Sequence, residues 1–153
     1  MTSMKKLLGI ILVVGIIFTF SGCNAKIDKN TDIVENVDAL IQDFLDAHED
    51  HDIKGINSLL SDDVKYSEEK EYLDAYVNKI EKCKLIKTEF LSSDDDENSL
   101  IKVNILYEVT FSKDYDPVGY LQSGKNKRKQ SLTISNVDDE LQIIDIQEVP
   151  HPY

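Results

Sequence analysis

His48, Glu49, Asp50, His51 and Asp52 form the one run in this chain built from metal-ligand side chains. His48 and His51 stand three apart, so both would face one ion on a continuous helix. Asp52 is placed to end that helix, and His48 lies on its apolar stripe while Glu49 and Asp50 do not. The spacing is not that of a zinc-protease helix, and no third ligand follows nearby. The reading favoured is a histidine lining a cavity or core, beside a solvated helix end. No metal and no cofactor is expected. His48 and Glu68 are the acid–base candidates, with Tyr72, Tyr76 or Tyr107 as donor, and no nucleophile, base and orienter converge in the sequence.

Three further stretches carry reactive or charged groups. Asp94-Asp95-Asp96-Glu97-Asn98 has the composition of a calcium loop but lacks its alternating ligands and glycine, and reads as a polar turn. Cys83 sits between Lys82 and Lys84, which would lower its pKa, yet a free cysteine is usually a small buried hydrophobe. The segment 113–129 is too long for a tight hairpin and joins Tyr115, Pro117, Tyr120 and Leu121 to Lys125, Lys127, Arg128 and Lys129. Loops of that length are commonly functional or disordered. Any contact surface is expected there first.

The elements that would position these groups follow from periodicity. Val34, Val37, Leu40, Ile41, Phe44, Leu45 and His48 predict an amphipathic helix over 33–50, with Asp38, Asp43, Asp46 and Glu49 toward water. A short helix is expected at 53–60. A third, capped by Ser67, is expected at 68–80, with Tyr72, Leu73, Tyr76, Val77 and Ile80 buried. A brief strand at 64–66 is compatible with the pattern. Ile101, Val103, Ile105, Tyr107, Val109 and Phe111 then alternate with polar residues, which predicts a long antiparallel strand with one face on a core. Strands at 82–91, 129–136 and 141–149 complete a meander. Helices followed by strands mean an α+β fold.

The first residues concern location. Lys5 and Lys6 precede an apolar run from Leu7 to Phe20, 14 residues long. A spanning helix needs roughly 20, so a cleaved signal peptide is expected over 1–22. Phe20-Ser21-Gly22-Cys23 resembles the lipobox of bacterial lipoproteins, with Phe20 in place of the usual aliphatic residue. The resemblance implies lipid on Cys23, a tether over 23–31, and a domain over 32–153 on the extracytoplasmic face of the cell membrane. Without Lys5 and Lys6 there remain 15 basic against 29 acidic side chains, a net charge of −14. So acidic a chain argues against nucleic acid and against adsorption to anionic lipid, leaving the acyl chains to anchor it. With Cys23 acylated, Cys83 has no internal disulfide partner. Sixteen lysines against one arginine point to an AT-rich genome, as in many Gram-positive bacteria.

Phe44-Leu45-Asp46-Ala47, the run from His51 to Val64, and the order of later elements resemble an NTF2-like (cystatin-cone) domain over about 35–149. The resemblance implies three N-terminal helices on a strongly curved antiparallel sheet of four to five strands, enclosing a cone-shaped cavity. Ketosteroid isomerase works in such a cavity; its phenol would fall at Phe44 here, which cannot donate to an oxyanion, and its base near Glu68. The function expected is therefore a non-catalytic binding or assembly module for an envelope partner or small ligand. An acid–base enzyme is the alternative, and a metal-handling lipoprotein a weaker third. A homodimer is compatible with the resemblance.

Overall fold

Residues 29–93, 100–137 and 140–150 are described by the computed structural model. The stretch expected as a signal peptide, Cys23 and the acidic run at 94–98 lie outside them. Helix α1 spans Lys29–Glu49, beginning inside the stretch expected as tether. Helix α2 covers Ile53–Ser58 and a 3-10 turn Asp62–Val64. Helix α3 covers Lys70–Ala75, followed by a second 3-10 turn at Val77–Lys79. Strands β1 (Ile80–Ser93), β2 (Leu100–Phe111), β3 (Gly124–Val137) and β4 (Glu140–Glu148) form an open antiparallel sheet in chain order. The fold is α+β, a few helices packed on a four-stranded antiparallel sheet. No described helix is long and apolar enough to cross a membrane.

The register makes the inner face of the sheet a grid. Phe90, Val103, Leu132 and Ile146 lie in one cross-strand row, and Ile101, Ile134 and Ile143 in the next. Val37, Ile41, Phe44 and Leu45 of α1 close over this grid, and all four are fully buried. Side chains of alternate strand residues share a face, so the period-two pattern of β2 is what puts its apolar set under the helix. Residue 143 of β4, at the sheet edge, exchanges backbone hydrogen bonds with residues 59 and 61 (3.0 and 2.9 Å), which covers part of that edge. The other edge is held by Glu49, whose carboxylate accepts the Cys83 N–H at 2.9 Å rather than turning to water as expected.

Two elements differ from the sequence expectation for identifiable reasons. The third helix is cut short at Tyr76 (φ −129°, ψ −69°), because Ile80 must already be extended to pair with Phe111. Tertiary pairing overrides the helical spacing of Tyr72, Tyr76 and Ile80. No strand forms at 64–66. Asn57 supplies what a neighbouring strand would: its side-chain oxygen accepts the Tyr66 N–H (2.8 Å) and its amide donates to the Tyr66 carbonyl (3.0 Å).

Because Phe44 is enclosed by the inner rows, Phe44→Ala should cost about 3–5 kcal/mol in urea unfolding. Ile86→Ala, at a half-exposed bulge on β1, should change stability by less than about 0.5 kcal/mol.

Candidate functional site

Strand parity sends Arg128 and Gln130 inward. They share a face with Leu132 and Ile134, so the chain presents one guanidinium and one amide to its own core. Arg128 lies opposite Tyr107, and Gln130 opposite Ile105 on one side and Glu148 on the other. Lys125, Lys127 and Lys129 have the opposite parity and leave the core. The basic cluster of the sequence is thus a strand rather than a loop, divided between two faces.

A network of charge-assisted bonds satisfies these inward groups. The Arg128 guanidinium donates to Glu148 Oε1 and to the Tyr76 hydroxyl. Gln130 donates to the same Glu148 oxygen at 2.6 Å and accepts the Tyr107 hydroxyl at 3.0 Å. Tyr120 closes the set, donating to Glu148 Oε2 at 2.6 Å. Arg128 also lies over the Tyr107 ring, 5.8 Å from its centroid, within cation–π range. Burial works against the Arg128 charge, but the oxygens of Tyr107, Tyr76 and Glu148 outweigh it and raise the pKa above the ordinary arginine value. Within this network Nε of Arg128 is buried without a protein partner, as are Asp38 Oδ1 and Asn136 Oδ1 elsewhere among the described residues.

Around the ion pair runs a chain of rings. Phe44, His48, Tyr66, Tyr72, Tyr76, Phe111 and Tyr115 follow one another at centroid separations of 4.1 to 6.0 Å. Most contacts are edge-to-face or tilted, the favoured geometry for quadrupolar rings. Burial raises the pKa of Tyr66, Tyr76 and Tyr107, and pushes Tyr72 up to about 12, so all four phenols are neutral at physiological pH.

The expected site residues separate in this frame. His48 is buried, its Nδ1–H donating to the Phe44 carbonyl at 2.6 Å. Burial depresses its pKa to about 4, with Arg128 adding to the effect against the Phe44 carbonyl. Glu68 is exposed, and its carboxylate lies 3.5 Å from the Asn57 amide. Neither group's hydrogen bonds reach the other. His51 takes the opposite direction, its Nε2–H donating to the Ile80 carbonyl at 2.5 Å, so the two histidines serve two backbone oxygens. Among the described residues no group of three or more His, Cys, Asp and Glu side chains could hold a metal ion. Burial, then Glu49, pushes the Cys83 thiol up to about 12, the reverse of a lysine-activated thiolate.

Tyr115 and Tyr120, from the same connection, also part company. Tyr115 is buried and stacked on Phe111 at 4.1 Å, while Tyr120 and Val118 are exposed at the tip. The connection is ordered by Asn126, which accepts the Gln122 N–H (2.9 Å) and donates to the Gln122 carbonyl (2.6 Å), and by the pair Lys79–Asp114. Glu148, Gln130, Asn57 and Tyr66 were not singled out from the sequence. The signal for Gln130 was there: 128, 130, 132 and 134 have one parity, but a strand begun at 129 leaves Arg128 outside it. Glu148 had no such signal, because β4 slips register between Thr133 and Ile134 of its partner.

No protein-family model matches this chain, and no curated protein matches it. Among solved structures it is similar to the crystal structure of the intermembrane space region of chloroplast protein ARC6. The TM-score is 0.50 at 10% sequence identity, covering 76% of this chain and 96% of that one. At such identity the likeness is one of fold alone.

Two outcomes follow from this geometry. Glu148→Gln should cost about 2 kcal/mol in urea unfolding, less than for a fully buried pair because water reaches Glu148; Arg128→Met with Glu148→Leu should cost less than the single change. His48 is neutral when folded and has its pKa held below the unfolded value of 6.5. Its contribution is therefore full above pH 6.5 and lost as pH falls toward 4. Stability should drop by about 2 kcal/mol from pH 7.5 to 5 through this group, and His48→Gln should flatten that part of the profile.

Proposed function

We propose that this protein is a lipoprotein held to the extracytoplasmic face of a cell membrane by lipid on Cys23, and that its domain is a non-catalytic binding or assembly module. One observation carries the second half. The inward polar groups are engaged with one another: Arg128 and Gln130 with Glu148, Tyr107 with Gln130, and His48 with a backbone carbonyl. General acid–base catalysis needs a group titrating near working pH within reach of substrate. His48, depressed to about 4, and Tyr72, raised to about 12, lie on either side of that range. The basic n-region, the apolar run and the position of Cys23 support the first half. The NTF2-like cone belongs to the same proposal, supported by the order of its elements and by a four-stranded sheet packed over α1.

The partner is an envelope protein or a small ligand, met at exposed surface rather than through the ion pair. The tip at Val118 and Tyr120 is the exposed apolar part of the long connection. Cys23→Ser should shift the protein from the membrane fraction to the soluble extracytoplasmic fraction and abolish incorporation of an alkyne fatty acid. Retention with undiminished label would overturn the lipid anchor. Cross-linking on intact cells should lose a partner in a Val118→Asp variant; an unchanged set of cross-links removes this tip from the binding surface.

A further inference from the structure

The outer face of the sheet segregates charge in a way the total conceals. Three successive cross-strand rows read Lys82–Thr110–Lys125, Lys84–Glu108–Lys127 and Lys87–Leu106–Lys129. Residues paired across strands share a face, so six lysines stand on one side of β1, β2 and β3, opposite the side covered by α1. Five of the six are exposed, and Lys129 is half-buried. Glu108 is the one acid within the rows and pairs with Lys125 at 3.0 Å; the other five lysines form no ion pair among the described residues. Strands lie about 4.8 Å apart and alternate residues about 6.8 Å, so the lysines cover roughly 10 by 14 Å.

We propose that this lysine face rests on the phosphate groups of an anionic lipid bilayer. The geometry favours that occupant over others. The surface is made of pleated strands and offers flexible point charges rather than the fixed forks that recognise one carboxylate or phosphate. A second copy of the chain meeting the same face would oppose lysine to lysine. Glu89, paired with Asn104 in the next row, borders the lysines on the same outer face, while the acidic side chains of α1, Asp43 and Asp46 among them, stand on the far side of the sheet. The far side is about 10 Å or more away, beyond the Debye length of about 8 Å at physiological salt, so the acids of α1 are largely screened from the bilayer. The placement rests on the lipid anchor proposed above. From Cys23 to the start of α1 at Lys29 is six residue steps, a reach of about 20 Å when extended. That is enough for a domain lying with its sheet on the surface and α1 one layer above it.

The test uses the protein purified from membranes and added to vesicles of phosphatidylcholine alone or with 30% phosphatidylglycerol, the proportion on the order of that needed for a strongly negative surface. Lysine acetylation is then read by mass spectrometry. Labelling of Lys84, Lys87, Lys125 and Lys127 should fall several-fold on anionic vesicles only and return in high salt. Lys54 and Lys65, in the helical region, should not change. In the unacylated Cys23→Ser chain, Lys84→Gln with Lys127→Gln should weaken partitioning onto anionic vesicles about 20-fold, at about fivefold per lysine, and Lys84→Arg with Lys127→Arg should not. Equal labelling on both vesicles overturns the proposal. So does protection already present in detergent, which would make the face a contact between copies. If the wild-type protein fails to bind neutral vesicles yet is protected on anionic ones, the lipid anchor fails and the lysine face stands.

Discussion

A single buried positive charge organises the interior. Arg128 is carried inward by strand parity, and once there it must be neutralised, because an unpaired guanidinium in a core costs several kcal/mol. Glu148 supplies the charge from the last strand, Tyr76 an oxygen from the end of the helical region, and Tyr107 a ring face from β2. Arg128 therefore joins parts of the chain that are far apart in sequence. The break of the third helix at Tyr76 and the slip in β4 leave Tyr76 and Glu148 within hydrogen-bonding reach of Arg128.

This arrangement also bears on what the domain does. The Glu148 carboxylate, the Gln130 amide and the phenols of Tyr76, Tyr107 and Tyr120 are joined with Arg128 in one hydrogen-bonded network, and the nearby imidazole is kept neutral by burial. Such a network fixes the relative position of β2, β3 and β4, and the proposed binding role is accordingly assigned to exposed surface. The sheet separates its two faces sharply: one buries an apolar grid around an ion pair, the other carries rows of lysine. A net charge of −14 for the expected mature chain describes neither face.

Much of the architecture was legible in the residues. The alternation from Ile101 to Phe111 gave β2 its correct face, and the helical spacing from Val37 to Leu45 gave the buried side of α1, since both signals are local consequences of backbone period. His48 was rightly placed on the apolar side for the same reason. The segment 113–129 was misread as one loop because its lysines hide the parity that ties Arg128 and Gln130 to Leu132. The expected strand at 64–66 failed for a different reason: Asn57, nine residues away, satisfies the Tyr66 backbone.

By itself, the sequence determined the α+β order, the apolar faces of α1 and β2, the acidic balance, and the basic and apolar run before Cys23 on which the location proposal stands. Only the tertiary structure decided which charged residues are inside and which form a surface. Periodicity fixes the side of an element on which a residue stands. Register and long-range pairing decide what it meets there, and that is where Arg128 found Glu148 and six scattered lysines became one face.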